Sequence, residues 1–296
     1  MIKNFFGIEI KPFMELKDDG QTMELCKVLL QEVFEALGIV NREIITDAIF
    51  NALTHAKNQK DWERQVFQWI TPLVKNDIRK QYWDERAVKI ISWFLPFLNS
   101  PVFEFGCDDG VVGKTISSNG YSVIIADVFR HANVGSIGLP FYLFKEGTEL
   151  PLKAGSFKSV TLSSVLHHCN NPSDTVREAK RVLDDDGLLL VSESVFGLAP
   201  HDLRGATGRL HIEQFSELSP EQQLEVNVFF EIIYHRILNF SEREEDMIHI
   251  PYNYLPAKLW PRWFEEQGLQ IINWWPVGIS HKIGPLCHAV YILKKS

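Results

Sequence analysis

The sequence of 296 residues is poor in cysteine, and no two cysteines lie close together. It contains no Cys-x-x-Cys motif, so neither the usual spacing of zinc ligands nor a disulfide framework is indicated. We therefore expect no metal site and a reducing, cytoplasmic environment. The four cysteines are Cys26, Cys107, Cys169 and Cys287.

The sequence also lacks a hydrophobic run that suits a membrane span. The run IISWFLPFL, at residues 90–98, is far below the roughly 20 apolar residues that cross a bilayer. The apolar stretch in the opening MIKNFFGIEIKPF is too short for a signal peptide. We expect no membrane association.

An excess of positive charge is missing as well. The chain has 30 Lys and Arg against 38 Asp and Glu, a formal net charge of -8. Such a chain has no general field that attracts nucleic-acid phosphates or anionic lipids. A local basic stretch at residues 75–89 is interpreted as a solvated helix face. We expect a small-molecule or protein partner rather than a nucleic acid.

The first part of the chain has a helical pattern. In QTMELCKVLLQEVFEALG, apolar residues recur at three- and four-residue spacings, and similar segments follow up to residue 98. No strand signal interrupts these segments. We therefore expect a helical N-terminal region over residues 1–98, which either closes a ligand site or forms a homodimer interface.

The pattern changes at about residue 101, where short β-branched runs begin to alternate with helical segments. The runs VFEFG, YSVIIADV, SVTLSSV and GLLLVSES predict parallel strands that crossover helices bury on both faces. The alternation fails over residues 198–256, which we interpret as an insertion over the C-terminal edge of the sheet. The last two runs, LQIINWW and CHAVYILKK, are close enough in sequence to pair antiparallel.

The stretch EFGCDDGVVG forms a turn between a strand and a helix. Backbone amides and a helix N-terminus beside a crevice favour a polar or anionic ligand. The dinucleotide fingerprint G-x-G-x-x-G does not fit, because Asp108 stands where its middle glycine belongs and would repel a pyrophosphate. Asp127 ends the next strand, where an acid suits the two hydroxyls of a ribose; it equally suits a capping residue.

These residues resemble the class I S-adenosylmethionine-dependent methyltransferases, in particular their small-molecule branch. The resemblance covers about residues 84–197 and the final strand pair. It rests on EFGCDDG, on the acid at Asp127, on FKEGTELPLKAGSFKSVTLSSVLHHCNNP and on REAKRVLDDDGLLLVSES. Two positions depart from the family pattern: Asp108 replaces a glycine, and Lys158 replaces a common acid.

The resemblance implies a Rossmann-like, doubly wound, seven-stranded sheet with a C-terminal antiparallel strand, in a methyltransferase core over residues 99–296. It implies S-adenosylmethionine as the cofactor. Glu104, Gly106 and Gly110 would shape the methionine pocket together with the other loop residues, Asp127 would bind the ribose, and the remaining contacts would come from residues farther along the chain. The implied cofactor residues are Glu104, Phe105, Gly106, Cys107, Gly110, Asp127, Val128 at the adenine, Glu146 and Gly147 at the adenine edge, and Ser163 in the pocket wall.

Catalytic candidates are histidines. His167 and His168 follow the fourth predicted strand, and an imidazole there has a pKa suited to a general base. Such a pair also occurs in the family without a known catalytic role. His211, in the insertion, is a candidate for the acceptor pocket, and a surface histidine is its alternative.

The sequence thus predicts a methyltransferase for a small metabolite or natural product, with oxygen slightly favoured as the methylated atom. One alternative is a protein- or RNA-directed methyltransferase, which should show a basic groove. Another is a non-catalytic binding module, which Asp108 permits. A third is a protein that uses the cofactor for a different reaction.

Overall fold

The computed structural model describes residues 2–11, 19–74, 76–238 and 250–296. Its helices are α1 (Gly20–Ala36), α2 (Arg42–His55), α3 (Gln59–Ile70), α4 (Asn76–Phe94), α5 (Val111–Ser118), α6 (Val134–Ile137), α7 (Pro172–Val182), α8 (Ile212–Glu217), α9 (Pro220–Ile232) and α10 (Trp260–Glu266). Its strands are β1 (Ile2–Lys3), β2 (Glu9–Ile10), β3 (Val102–Phe105), β4 (Val123–Asp127), β5 (Phe141–Leu143), β6 (Phe157–Ser163), β7 (Leu183–Phe196), β8 (Gly208–Arg209), β9 (Leu255–Pro256), β10 (Leu269–Ile279) and β11 (Cys287–Lys295).

The chain divides into two compact units, and each is assembled from three segments. The first unit comprises Met1–Tyr82, Ser194–Ala257 and Pro276–His288; the second comprises Trp83–Glu193, Lys258–Trp275 and Ala289–Ser296. The domain boundary at residue 98, which the change in periodicity predicts, remains a prediction. The units group segments by contact, so they join pieces that are distant in sequence.

The first unit has an aromatic core among helices. Trp62 of α3 is fully buried and donates from its indole nitrogen to Ile49 O of α2 at 3.0 Å. Phe229 of α9 stacks on Phe50 of α2 with ring centroids 5.4 Å apart. Helices that present apolar residues at helical spacing bury them against each other because water contact is unfavourable. The predicted helical character of this part of the chain is observed in α1, α2 and α3.

Three helices of the first unit, α1, α3 and α9, begin with a side-chain cap, whereas α2 and α8 do not. Ser219 and Gln222 form the capping box that opens α9, as the sequence predicts. Asn58 caps α3 by accepting from the Asp61 amide. Asn41 is of a residue type that often caps a helix, and it precedes α2 with φ of +59°, but its side chain makes no cap hydrogen bond.

The second unit contains the central sheet. The sheet has nine strands in the order β5-β4-β3-β6-β7-β11-β10-β8, with β9 paired to β7. The first seven of this order correspond to the seven strands that the resemblance implies. The pairs β3–β4, β3–β6, β4–β5 and β6–β7 are parallel, and the C-terminal strands are antiparallel. All four residues of β3 are buried, as expected for a strand covered on both faces. The predicted α/β fold class is confirmed.

The structure also contains short strands that the sequence pattern did not indicate. In the first unit, β1 and β2 pair antiparallel, β9 pairs with the end of β7, and β8 pairs with the end of β10. In the second unit, β5 lies between the runs YSVIIADV and SVTLSSV, where the sequence shows no strand pattern. Strands of two or three residues are too short to show a period of two, so only their pairing with a neighbouring strand identifies them.

Among the helices of the described residues, none is both long enough and apolar enough to cross a membrane. The longest, α4, has 19 residues and carries several charged side chains.

Candidate functional site

The turn after β3 is built from residues with a left-handed backbone. Gly106, Asp108 and Gly110 have φ angles of +79°, +47° and +81°. The Gly106 amide donates to Ala126 O at 2.9 Å and ties the turn to β4. Aspartate is among the few non-glycine residues that adopt this conformation at modest cost. Asp108 therefore completes the turn without a glycine.

Two glycines allow other side chains to pack closely against this turn. A Cβ atom added at Gly106 would lie 2.5 Å from Cγ2 of Val165, in the loop after β6. A Cβ at Gly113, in α5, would collide with the Glu104 carboxylate. Real Cβ atoms do not tolerate such contacts, so both positions require glycine. The turn therefore forms a narrow cradle of backbone beside the end of β3.

Asp127 lies at the end of β4 and stabilises the same turn by a hydrogen bond. Its Oδ2 accepts from the Asp108 amide at 2.8 Å, and its Oδ1 accepts from the amides of Val128 and Phe129 at 2.7 and 3.3 Å. Burial raises the pKa of this carboxyl above its ordinary value, and the three amides act in the opposite direction. A carboxylate offers about four lone-pair sites, so capacity remains for a ligand hydroxyl.

Glu104 is a buried acid below the turn. Only 2% of it is exposed, and within the described residues its Oε2 accepts no hydrogen bond. Burial raises its pKa well above the ordinary value, and the negative charge of Asp109 adds to the effect, while the Gly113 amide lowers it. A buried oxygen without a partner indicates a group or a water that completes the site.

The other two residues of the predicted loop, Phe105 and Cys107, serve the core. Phe105 is buried and packs edge-on against Phe144, with ring centroids 4.9 Å apart. Burial raises the pKa of the Cys107 thiol, which is therefore protonated. Their side chains are part of the packing, so any contact with a cofactor would come from their backbone.

The predicted adenine contacts lie near the strand ends. Val128 follows Asp127 and is 53% exposed, which leaves an apolar side chain open to a ligand. Glu146 accepts from the Asn171 amide at 3.0 Å and from Asn170 Nδ2 at 2.6 Å, and Gly147 beside it is exposed with φ of +79°. These bonds hold Glu146 against the loop that leads into α7.

Ser163 ends β6 and contacts the neighbouring strand. Its Oγ lies 3.1 Å from Oγ of Ser192 in β7. The next residue, Ser164, has φ of +56°, and its amide donates to Ser192 O at 2.7 Å. The chain therefore turns sharply as it leaves β6 and passes over the Gly106 turn.

Comparison with known families agrees with this geometry. Residues 103–191 match the family model described as a methyltransferase domain. Over these residues the chain is therefore similar to the S-adenosylmethionine-dependent methyltransferases. The match begins within β3 and ends within β7, so it contains the cradle, Asp127 and the histidine pair.

The chain is also similar to individual proteins. The uncharacterized protein YafS of Escherichia coli K12 is 28% identical over 133 residues, which is 45% of this chain and 53% of that protein. This chain thus spans about half the length of the curated relative that it matches. A methyltransferase of Thermotoga maritima is 12% identical with a TM-score of 0.49, over 75% of this chain and 95% of its own. The 1,6-didemethyltoxoflavin N1-methyltransferase of Burkholderia thailandensis is 14% identical with a TM-score of 0.46, over 75% of this chain and 81% of its own.

Within the matched domain, the rings of the two consecutive histidines contact each other. The rings of His167 and His168 lie 4.1 Å apart, and His167 is almost fully buried. Nδ1 of His167 lies 2.6 Å from Oε2 of Glu193, whose Oε1 accepts from the backbone amides of Val165 and Leu166 at 2.9 and 2.7 Å. Glu193 therefore anchors the loop and the His167 ring. His168 is the more accessible of the two histidines.

His211 is not part of the methyltransferase domain but of the first unit. It precedes α8 with φ of +45°, and its Nε2 lies 3.8 Å from Oε1 of Glu32. Glu32 also forms an ion pair with Lys282 at 2.8 Å. This charged group lies on the surface of the first unit. The role of His211 in an acceptor pocket stays a prediction.

One charged residue of the second unit makes a contact that the sequence did not indicate. Arg86 of α4 falls in the stretch interpreted as a solvated face, but it is half-buried, and its guanidinium contacts Ser164. The partner lies 78 residues farther along the chain, so the local pattern has no signal for the contact.

Proposed function

We propose that the chain transfers a methyl group from S-adenosylmethionine to a small metabolite or natural product, with oxygen as the favoured acceptor atom. The observation that supports this most is the arrangement of Asp127 and the turn after β3. A buried acid with spare acceptor capacity is bonded to a turn whose backbone is left-handed at Gly106, Asp108 and Gly110. An arrangement of this kind suits a nucleoside that carries an amino acid.

Each part of the cofactor has a candidate partner. Asp127 accepts the ribose hydroxyls, and Val128 packs against adenine, with Glu146 and Gly147 at its edge. Glu104 is assigned to the methionine end of the cradle, with its buried Oε2 close to Gly113 of α5. Gly106 and Gly110 allow the ligand to approach the backbone closely, and Ser163 contributes to the wall.

The chemistry requires little from the protein. When bound, S-adenosylmethionine supplies an electrophilic methyl group on a positively charged sulfur. The residues of the cradle hold the donor in one orientation, which favours an in-line displacement because reactant entropy is already lost on binding. His168 removes the proton from an acceptor hydroxyl, and His167, held by Glu193, supports its ring.

The acceptor side is assigned to the insertion at residues 198–256, with His211 as a candidate contact. The net charge of -8 favours a small molecule over a nucleic acid as acceptor. We also propose a cytoplasmic location, since four free cysteines suit a reducing compartment. The insertion includes His249, which lies outside the described residues.

A binding module without methyl transfer is the second candidate, and Asp108 is the observation that favours it. Its carboxylate stands beside the site of a zwitterionic ligand and would repel the ligand's carboxylate. Turnover separates the two candidates. The chain is incubated with S-adenosylmethionine and a filtered metabolite extract, and mass spectrometry searches for products that gain one methyl group. Products that appear with the wild-type chain and not with the Asp127→Asn variant support the enzyme.

Equilibrium titration tests the cofactor site itself. The full chain is titrated with S-adenosylmethionine and with S-adenosylhomocysteine, and saturable binding is expected for both. Asp127→Asn should weaken both affinities by roughly 10-fold or more, because it replaces a charge-assisted acceptor with a neutral amide. The same substitution at exposed Asp186 is the control and should change nothing. Absence of binding to either nucleoside contradicts the proposal.

A further inference from the structure

The cradle holds an unusual concentration of acids. Glu104, Asp108, Asp109 and Asp127 all belong to β3, the turn after it, or the end of β4. Burial raises the pKa of three of them, Glu104, Asp109 and Asp127, and the neighbouring acids add to the effect at Glu104. Such a site favours cations. An amino-acid carboxylate beside it requires a compensating positive charge.

Arg86 supplies a positive charge at this place. It lies on α4 within the second unit, and its Nη2 lies 3.5 Å from Ser164 Oγ, a contact longer than an ordinary N–H···O hydrogen bond of about 2.7–3.2 Å. Its guanidinium lies 5.9 Å from the centre of the Trp83 ring. Its charge also lowers the pKa of Asp109, in opposition to the burial that raises it. Arg86 therefore acts electrostatically on the acidic turn.

The contact with Ser164 places Arg86 at a defined end of the cradle. Ser164 is followed directly by Val165, the residue that closes over Gly106. Asp127, which marks the ribose end of the proposed site, is bonded instead to the amides of Asp108, Val128 and Phe129. The guanidinium thus contacts the loop whose next residue packs against Gly106, on the side assigned to the amino-acid part of a nucleoside.

We propose that Arg86 binds the carboxylate of the cofactor's amino-acid part and makes the site select nucleosides that carry this group. The inference rests on the proposed function. An arginine has five N–H donors, and among the described residues one of them makes the long contact with Ser164. The fork of the guanidinium suits a carboxylate in two parallel hydrogen bonds. In this arrangement Glu104 and the turn acids face the ammonium and sulfonium charges.

Titration with two nucleosides tests the assignment. S-adenosylhomocysteine carries the amino acid, whereas 5′-methylthioadenosine lacks it. Arg86→Gln should weaken binding of S-adenosylhomocysteine by roughly 10- to 100-fold, the loss expected for charge-assisted hydrogen bonds. Binding of 5′-methylthioadenosine should stay unchanged. Arg86→Lys, which keeps the charge but not the fork, should give an intermediate loss for the first ligand only.

Controls separate this role from a structural one. Arg177→Gln removes an exposed arginine of α7 and should leave both affinities unchanged. His131 is the other cation that lowers the pKa of Asp109, so His131→Gln tests whether it holds the carboxylate instead. The assignment is overturned if Arg86→Gln lowers the affinity for both nucleosides equally, or lowers it for neither. It is also overturned if His131→Gln selectively lowers the affinity for S-adenosylhomocysteine.

Failure of the proposed function has a different signature, because the wild-type chain would then bind neither nucleoside. If Arg86→Gln does not fold, as a thermal melt would show, Arg86→Lys decides the question. A loss confined to S-adenosylhomocysteine supports the inference, and equal affinities of Arg86→Lys and the wild-type chain for both ligands contradict it.

Discussion

At the scale of single residues, the turn after β3 reaches a left-handed backbone in two ways. Gly106 does so without a side chain, and any side chain there would meet Val165. Asp108 does so with a side chain, and its amide is held by Asp127. The position of Gly106 is therefore restricted both by conformation and by space, and that of Asp108 is restricted at least by its left-handed backbone.

Gly106→Ala should separate these two restrictions. A left-handed alanine costs about 1 kcal/mol, and overpacking against Val165 should add about 1–3 kcal/mol. Gly120→Ala is a matched control, because Gly120 has φ of +92° and no atom within 4 Å of an added Cβ. Urea unfolding of the full chain measures both variants. Equal losses for the two variants would show that the Val165 contact yields easily.

Glu104→Gln should change the pH dependence of stability. The pKa of Glu104 is raised in the folded chain, so the folded state binds a proton more readily than the unfolded state does. The contribution of this residue to stability therefore rises as pH falls through its raised pKa. The neutral variant should be more stable than the wild-type chain at alkaline pH, and the difference should shrink as the solution is acidified.

Chemical denaturation at a series of pH values measures this difference. Glu265→Gln, at an exposed position of α10, serves as the control and should follow the wild-type profile. A Glu104→Gln profile parallel to that of the wild-type chain would mean that Glu104 keeps an ordinary affinity for protons.

At the scale of elements, two helix starts of the first unit are linked. Asp19 caps α1 by accepting from the amides of Gln21 and Thr22 at 3.2 and 3.1 Å. Its second oxygen accepts from Gln222 Nε2 at 2.8 Å, and Gln222 belongs to the capping box of α9. The two caps therefore stabilise each other across 203 residues of sequence.

Ser219→Ala should lower the free energy of unfolding by about 1 kcal/mol, because it leaves the Gln222 amide without its acceptor. Ser219→Asp keeps an acceptor and should retain most of the stability. Asn41→Gly is the comparison at a helix start without a cap bond, and it should cost at most a few tenths of a kcal/mol. Thermal and urea unfolding both report the difference. A loss at Asn41 as large as that at Ser219 would contradict the role assigned to the cap.

Element boundaries were predicted well where the pattern was long. The strands β3, β4, β6 and β7 coincide with β-branched runs, and α9 begins at the expected cap. The short strands β1, β2, β5, β8 and β9 were missed, because two or three residues carry no period. The pairing partner and register of a strand depend on the whole sheet, so the sequence of the strand alone does not specify them.

At the scale of the whole molecule, charge restricts the choice of partner. The chain carries 30 basic against 38 acidic side chains, and acids also concentrate in the cradle. A negative field disfavours an RNA or DNA acceptor, since phosphate contacts supply most of the affinity for nucleic acids.

Fluorescence anisotropy with labelled single-stranded RNA and duplex DNA tests this expectation. Affinity at physiological salt should be weaker than about 100 µM, the weak end of ordinary non-specific binding. Binding in the micromolar range that weakens steeply with added salt would instead favour the RNA-directed alternative.

The sequence by itself determined the class of the fold and the place of the cradle. Alternating β-branched and helical runs specify a parallel sheet, and EFGCDDG with Asp127 marks the turn, because these signals lie within a few neighbouring residues. Much of the proposed cofactor site was therefore predictable, although the roles of its residues remain predictions.

Only the tertiary structure decided which distant side chains meet. Arg86 reaches Ser164, Glu193 holds His167, and Asp19 bonds to Gln222 across separations that no local period records. Periodicity states which face of an element is buried, but the partner on the other side of that face depends on how the elements pack. The anchoring of His167 and the position of the Arg86 guanidinium follow from that packing.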